Sequence, residues 1–183
     1  MCAERILRLI ECAGTPLITA IDGRCAAGKT TLARKLSEAL GAPVVHMDDF
    51  YLPFEKRTPE RLAAPGGNFD LERFMAEVYA PLSRGEAFRY GVFDCSRGVI
   101  GAEREIPRAG VVVVEGAYSL HPALRQLYGL RIFCDVDRET QLARLKKRES
   151  PASFENFVRK WIPMEENYLS AFGVRDVCDA VYP

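Results

Sequence analysis

The sequence predicts a three-layer α/β domain in which helices cover both faces of a parallel β-sheet. Short apolar runs that end at turn residues alternate with stretches of helical period along the 183 residues, and this alternation is typical of βαβ units. The run Val111–Val114 is β-branched throughout, as a central parallel strand that is buried on both faces requires. A chain of this length fits one domain, which we assign to residues 1–183.

The predicted elements follow each other in a simple order. An amphipathic helix over residues 1–14 precedes the first strand, Leu17–Ile21, and helical spacing then extends from Lys29 to Leu40, where Gly41 ends it. Each later element is a short apolar strand or a longer stretch of helical period. The further strands are predicted at 43–46, 111–114, 130–134 and 179–182, and the further helices near 70–83, 138–149 and 152–171.

The composition excludes several classes of protein. The 25 Lys and Arg residues balance 25 Asp and Glu residues, whereas broad binding to nucleic acid or to a membrane surface needs a basic excess. No apolar stretch is long enough for a signal peptide or a membrane span. The six cysteines show no C-x-x-C spacing, which is typical of reduced thiols in a cytoplasmic protein. Whether the chain forms a homo-oligomer stays open at this point.

One segment does not fit the alternation of strands and helices. Residues 50–69 contain three prolines and two glycines and show no clear period. A loop of this length is uncommon in a compact domain unless it is functional or disordered. We therefore expect residues 50–69 to contribute to substrate binding.

A phosphate-binding motif follows the first strand. Residues 23–30 fit G-x-x-x-x-G-K-[ST], with a strand before the motif and a helix after it. The glycines let successive backbone N–H groups point at phosphate oxygens, and the helix that begins at Lys29 presents its positive end to the same anion. We expect Lys29 to reach the β- and γ-phosphates and Thr30 to ligate Mg²⁺. The residues predicted to bind a nucleoside triphosphate are Gly23, Arg24, Cys25, Ala26, Ala27, Gly28, Lys29, Thr30 and Thr31.

An acidic residue at the end of the valine strand is the second candidate metal ligand. Glu115 follows Val114 directly, so it should lie beside the phosphate-binding loop and hold a Mg²⁺-bound water. The alternative is a strand-end carboxylate that faces solvent, and Asp135 is a weaker candidate for the same role. The guanine-binding tetrapeptide N-K-x-D of GTPases is absent, but the preference between ATP and GTP stays open.

Two adjacent aspartates follow the second strand. In an open α/β sheet, ligands bind beyond the carboxyl ends of the strands, so a carboxylate here can face the γ-phosphate from the acceptor side. Transfer of a phosphoryl group to an alcohol needs a group that orients the hydroxyl and accepts its proton. Since neighbouring acids cannot both point at one site, we expect Asp48 and Asp49 to divide between the site and its surroundings. His46 is expected to be a packed strand-end residue rather than a base.

Several motifs occur in one order between residues 18 and 182: IDGRCAAGKTTLA, MDDFYLP, GGNFD, VFDC, VVVVEGAY and an arginine-bearing helix. This set resembles the uridine kinase-like branch of P-loop kinases, a branch that includes phosphoribulokinase and bacterial pantothenate kinase. The resemblance implies the three-layer P-loop NTPase fold with a five-stranded parallel sheet and a small lid. It also implies transfer of the γ-phosphate of ATP to a hydroxyl of a small-molecule acceptor.

The resemblance also implies roles for single residues. Asp48 corresponds to the catalytic aspartate of the family, and Asp70 in the NFD motif corresponds to a residue that contacts sugar hydroxyls. Tyr51 and Phe93 correspond to aromatic residues near the acceptor. Asp49 occupies a position at which members of this family commonly have a serine.

The helix after the fourth strand supplies cations. Arg144 and Arg148 are spaced i,i+4 and therefore share one helix face. Their position resembles the lid helix of small-molecule kinases, whose arginines neutralise charge on the transferring phosphoryl group. Arg148, which precedes Glu149, best fits the family's pattern of an arginine followed by an acid, so the resemblance implies the catalytic role for Arg148, and Arg144 is expected at the triphosphate. Lys147, Arg159 and Lys160 are weaker candidates within a lid of about residues 144–160, and a solvated basic face is the alternative.

Two departures from the family pattern leave the acceptor open. The segment SPASFENFVRK replaces a second arginine-rich lid segment, and residues 92–98 replace a longer segment that carries a histidine. The predicted acceptor is nucleoside-like, and pantothenate, a sugar or a sugar phosphate are the alternatives. The anionic alternatives are included because the Arg97 guanidinium could bind a carboxylate or a phosphate. An alternative from a different class of function is a regulatory protein that binds the nucleotide but catalyses no reaction.

Overall fold

The computed structural model describes residues 3–183 and contains the predicted five-stranded parallel sheet. The strands are β1 (Leu17–Gly23), β2 (Val44–His46), β3 (Phe88–Asp94), β4 (Val99–Ile106), β5 (Val111–Glu115), β6 (Leu130–Cys134) and β7 (Ala180–Tyr182). The sheet has the strand order β2-β5-β1-β6-β7, and a separate antiparallel hairpin, β3–β4, lies outside it. All five predicted strands are therefore confirmed.

The helices also fall where the helical periods predict them, except for one short helix within residues 50–69. They are α1 (Ala3–Ala13), α2 (Lys29–Leu40), α3 (Pro59–Ala63), α4 (Leu71–Phe74), α5 (Ala80–Ser83), α6 (Arg138–Arg148), α7 (Pro151–Asn156) and α8 (Ile162–Ala171). The π-helical turn Met75–Tyr79 joins α4 to α5, and Phe157–Trp161 joins α7 to α8. Met1 and Cys2, which the first helix was predicted to include, lie outside the described residues. Within residues 3–183, no helix is long and apolar enough to cross a membrane.

Two apolar cores, one on each face of the sheet, produce the three layers. In β5, Val113 packs into the core that α1 and α2 cover, where Leu32 and Leu36 are fully buried. Val112 and Val114 pack into the other core, beneath α4 and α8. Successive side chains of a strand point to opposite faces, so an all-valine strand fills both cores at once.

The register of the sheet brings the chemically active ends of three strands together. Glu115 at the end of β5 lies opposite Ile21 of β1 and His46 of β2. The phosphate-binding loop follows β1, and the turn Met47–Phe50 follows β2. Because parallel strands end at the same edge, the loop, the two aspartates and Glu115 meet there.

The β3–β4 hairpin is a part of the fold that the sequence analysis does not predict. In β4 every residue except Ile106 is exposed, so the strand lacks the alternation of apolar and polar residues by which strands are recognised. Its pairing with β3 supplies the backbone hydrogen bonds instead. A strand that is stabilised by pairing with its neighbour, rather than by burial of an apolar face, shows no hydrophobic pattern from which it could be predicted.

Residues 50–69 form turns and the short helix α3. The segment is closed at its base, where the Leu52 N–H donates to the Asn68 carbonyl at 2.9 Å and the Asp70 N–H donates to the Phe50 carbonyl at 2.8 Å. Phe50 is fully buried within the core. The segment is therefore anchored at both ends, and its contribution to acceptor binding stays a prediction.

Candidate phosphate-binding and catalytic site

A cavity of about 540 Å³ opens at the carboxyl ends of β1, β2 and β5. The phosphate-binding loop and the start of α2 form one wall through residues 25–31. The other walls carry side chains of both charges. They include Asp48, Tyr51, Glu115, Arg144, Arg148 and Glu165.

The backbone of the phosphate-binding loop depends on its glycines. Gly23 has φ 123°, and a Cβ there would lie 2.0 Å from the Cys134 carbonyl oxygen, so no other residue fits without movement of the backbone. Gly28, at φ 95°, caps α2 without a side-chain hydrogen bond. The first N–H groups of the helix therefore face the cavity with no capping side chain, as an anion site requires.

Lys29 lies against the loop. Its ammonium group donates to the carbonyl oxygens of Gly23 at 2.6 Å and Arg24 at 2.9 Å. Burial by itself lowers the pKa of Lys29, but the nearby carboxylates of Glu165 and Asp22 outweigh it and raise the pKa above its ordinary value. The side chain is therefore a stable positive charge at the base of the cavity.

Glu115 and Thr30 form a pair of oxygen donors. The Thr30 hydroxyl lies 3.2 and 3.3 Å from the two carboxylate oxygens of Glu115, which is buried. Hydroxyl and carboxylate oxygens suit Mg²⁺, which proteins bind through one or two carboxylates together with phosphate oxygens. The two predicted metal ligands therefore fit that ion. Asp135 is engaged elsewhere, since both Arg24 and Arg175 pair with it.

The two adjacent aspartates face different surroundings. Asp48 opens to the cavity and accepts a hydrogen bond from the Tyr51 hydroxyl at 2.9 Å. Its shielding from bulk water raises the pKa of the Asp48 carboxyl, and the hydrogen bond from Tyr51 opposes this shift. Asp49 is turned toward the hairpin, where it accepts from the Tyr90 hydroxyl at 3.1 Å and pairs with Arg104 at 3.2 Å.

Three predicted acceptor-binding residues do not line this cavity. Asp70 is buried, accepts from the Arg73 N–H as the N-cap of α4, and lies 3.4 Å from the Lys56 ammonium. Phe93 packs edge-on against Phe54 with ring centroids 6.3 Å apart. Arg97 is exposed in the turn of the hairpin, where its backbone N–H donates to Asp94.

The predicted lid cations reach the cavity from α6. The Arg144 guanidinium donates to the Ala26 carbonyl of the phosphate-binding loop at 2.9 Å. Arg148 lines the same cavity and pairs with Glu149 at 2.7 Å. Arg24, although it belongs to the loop, points away and pairs with Glu166 at 2.6 Å.

Glu165 on α8 is a site residue that the sequence analysis misses. Only 5% of the residue is exposed, and its carboxylate accepts a hydrogen bond of 2.7 Å from the Cys25 N–H of the phosphate-binding loop. Burial raises the pKa of Glu165, and the charge of Lys29 opposes the shift. No local motif marks Glu165, since 140 positions separate it from its partner Cys25.

Asp22 is the second missed residue, and it joins three parts of the site behind the cavity. Its fully buried carboxylate accepts from the Gly23 N–H at 2.7 Å, the Leu120 N–H at 2.8 Å and the Tyr168 hydroxyl at 2.7 Å. Burial raises the pKa of Asp22, and these hydrogen bonds lower it in part. Asp22 thus ties the phosphate-binding loop to the loop after β5 and to α8.

We expect Tyr168→Phe to lower the free energy of unfolding by about 1–3 kcal/mol, because it removes a hydrogen bond to a buried carboxylate. Urea denaturation measures the change. Tyr128→Phe is the matched control, since the buried Tyr128 hydroxyl has no hydrogen-bond partner within residues 3–183. Equal stability losses in the two variants would show that the bond to Asp22 contributes nothing specific.

No family model matches the chain. The chain is 27% identical over 147 residues to uridine kinase-like protein 3 of Arabidopsis thaliana, covering 75% of this chain and 31% of that protein. It is 26% identical over 165 residues to the uridine kinase of Halobacterium salinarum, covering 81% of this chain and 72% of that protein. The chain thus spans about a third of the length of the Arabidopsis relative and most of the length of the archaeal one.

A solved structure agrees with these relatives. The possible uridine kinase from Bacillus stearothermophilus matches with a TM-score of 0.75 at 21% identity, over 99% of this chain and 95% of that chain. At this identity the match shows the fold, and the sequence relatives point to the same group of proteins. The chain is similar in sequence to uridine kinase and uridine kinase-like proteins, and it shares the fold of the possible uridine kinase from Bacillus stearothermophilus.

Proposed function

We propose that the protein transfers the γ-phosphate of ATP to a hydroxyl group of a nucleoside-like acceptor. The observation that carries this proposal is the shared cavity, in which the phosphate-binding loop with Lys29 and the carboxylate of Asp48 face one space. Binding of a nucleotide alone needs no carboxylate on the acceptor side. A phosphoryl transfer to an alcohol needs one.

The loop and the two arginines of α6 would hold the triphosphate. The N–H groups at the start of α2 and the Lys29 ammonium would bind the β- and γ-phosphates. Arg144 and Arg148 would neutralise the charge that develops on the transferring group. Thr30 and Glu115 would hold Mg²⁺, which would supply positive charge to offset that of the triphosphate.

A larger cavity of about 880 Å³ adjoins the first and is proposed to take the nucleoside part of ATP. It shares Arg144 and Pro183 with the phosphate cavity and is lined further by Gln141 on α6. Arg24, paired with Glu166 and Asp135, forms the boundary on the side of the phosphate-binding loop. The triphosphate could therefore run continuously from one cavity into the other.

Asp48 would act as the general base. Its carboxylate would accept the proton of the acceptor hydroxyl as that oxygen attacks the γ-phosphorus, and the Tyr51 hydroxyl would hold the carboxylate in place. The raised pKa of Asp48 makes it a stronger base than a fully solvated aspartate. Asp70, Phe93 and Arg97 stand outside the cavity, so their contacts to the acceptor stay predictions.

The test of the function is a screen of acceptors. Purified protein with ATP and Mg²⁺ would be assayed for ADP release with uridine, cytidine, pantothenate and common sugars. We expect turnover with uridine or cytidine. If no acceptor is phosphorylated while ATP still binds tightly, the kinase hypothesis is wrong and the protein is a nucleotide-binding regulatory protein.

The state of the cysteines indicates the cellular compartment in which the protein acts. The five within residues 3–183 are all free: Cys12, Cys25, Cys95, Cys134 and Cys178. Free thiols fit a reducing compartment, and we propose that the protein acts in the cytoplasm on small molecules.

We expect Glu165→Gln to bind a non-hydrolysable ATP analogue about tenfold more tightly, a difference of about 1.4 kcal/mol. The substitution removes a negative charge beside the phosphates and keeps an acceptor for the Cys25 N–H. Because the pKa of Glu165 is raised, the affinity of the wild type should increase as the pH falls, and the variant should lose that part of the pH dependence. Isothermal titration calorimetry at two pH values measures both effects.

The matched control for this substitution is Glu155→Gln. Glu155 is an exposed carboxylate on α7 that pairs with Arg159 and lines neither cavity. We expect a smaller change in affinity. Identical affinities for wild type and Glu165→Gln would show that the charge of Glu165 is not felt at the phosphate site.

A further inference from the structure

His46 contacts the candidate metal ligand Glu115 directly. The register of β2 against β5 places the two residues side by side, and the Nδ1 atom of His46 lies 2.7 Å from Oε1 of Glu115. The Glu115 side chain is 6% exposed and that of His46 is 28% exposed. The contact therefore lies behind the wall of the cavity, which Glu115 lines and His46 does not.

The direction of this hydrogen bond follows from the chemistry of the two groups. An ionised carboxylate can only accept hydrogen bonds, so Nδ1 of His46 must carry the hydrogen. The Thr30 hydroxyl also contacts this carboxylate, 3.2 Å from Oε2 and 3.3 Å from Oε1. Glu115 is thus held between its strand neighbour and the first turn of α2.

His46 is itself fixed by the acceptor side of the site. Its backbone N–H donates to the Tyr90 hydroxyl at 3.3 Å, and that hydroxyl donates to Asp49. Tyr90 is almost fully buried. The backbone of His46 is therefore held in place beside β3.

We propose that His46 is a positioning residue that holds Glu115 in the orientation in which it binds Mg²⁺ with the nucleotide. The inference rests on the proposed function, since it takes Glu115 as a metal ligand. Mg²⁺ tolerates little departure from octahedral geometry, so a carboxylate that turns freely binds it less well. Hydrogen-bond partners of metal ligands contribute about 10–100-fold in metal affinity.

The test measures metal affinity rather than activity. Mn²⁺, used as a paramagnetic probe, would be titrated by electron paramagnetic resonance into the protein saturated with a non-hydrolysable ATP analogue. We expect His46→Leu and His46→Ala to weaken Mn²⁺ binding by about 10–100-fold. The affinity for the analogue without metal should stay unchanged, because His46 does not line the phosphate cavity.

Two further variants separate positioning from a general loss of structure. His46→Asn keeps an N–H donor near the position of Nδ1 and should retain Mn²⁺ affinity within a few-fold of the wild type. His121→Leu replaces the other histidine of the chain, which packs between Phe69 and Phe172, and should leave Mn²⁺ affinity unchanged. The thermal unfolding midpoint of each variant shows whether it is folded.

Glu115→Gln, measured in parallel, distinguishes the inference from the function on which it rests. If Glu115→Gln weakens Mn²⁺ binding while His46→Leu and His46→Ala stay within twofold of the wild type, the positioning role is wrong and the metal site stands. If Glu115→Gln also has no effect, the metal site itself is wrong. Loss of affinity in Glu115→Gln, His46→Leu and His46→Ala, with retention in His46→Asn, supports the inference.

Discussion

Asp48→Asn should lower turnover by about a hundredfold or more, as the removal of a general base usually does. The amide has the shape of the carboxylate and can still accept the hydrogen bond from Tyr51, but it cannot take up the proton of the acceptor. Affinity for ATP should stay nearly unchanged, because the phosphates bind to the loop on the opposite wall of the cavity. Steady-state kinetics with the acceptor found in the screen, together with calorimetric titration of an ATP analogue, measure both quantities.

Asp49→Asn is the matched control for this experiment. Asp49 is the adjacent carboxylate, but it bonds to Tyr90 and Arg104 beneath the hairpin rather than facing the cavity. We expect this variant to lose stability more than turnover. If Asp48→Asn keeps the turnover of the wild type, Asp48 is not the general base.

Lys29→Met should lower turnover by about a hundredfold to a thousandfold, the usual effect of removing one electrostatic contact to the transition state. It should also weaken ATP binding, since Lys29 is the charge nearest the base of the phosphate-binding loop. Without it, the carboxylates of Asp22, Asp48 and Glu165 would face the triphosphate with no buried cation between them. Methionine keeps most of the volume and removes the charge.

Lys35→Met controls for the loss of a lysine from the same helix. Lys35 lies on the exposed side of α2, away from the cavity. Its replacement should change neither ATP affinity nor turnover. Lys29→Met with unaltered ATP affinity would contradict the assignment of Lys29 to the phosphates.

Much of the fold could be predicted because its signals are local. The all-valine run of β5 and the helical spacing of α2 each follow from residues close together in the chain. The hairpin could not be predicted in the same way, since exposed β4 has no apolar face. Its stability comes from pairing with β3, which is a relation between two segments.

The residues of the candidate site also fall into two groups, those that a local motif predicts and those whose placement depends on the tertiary structure. The motif of residues 23–30 marks the phosphate-binding loop because its glycines and Lys29 lie within one short segment. For Asp48 and Asp49 the residues by themselves predict that the two diverge, and the resemblance to the uridine kinase-like branch implies that Asp48 is the catalytic one. The turn Met47–Phe50 decides that Asp48 opens to the cavity while Asp49 meets the hairpin.

The sequence by itself determined the three-layer fold, the phosphate-binding loop and the strand ends where acids would gather. The tertiary structure alone decided which distant residues complete the site. Glu165 meets Cys25 across 140 positions, and His46 meets Glu115 across 69. Such contacts depend on the packing of α8 and on the register of the sheet, and no period or motif within a single segment encodes them.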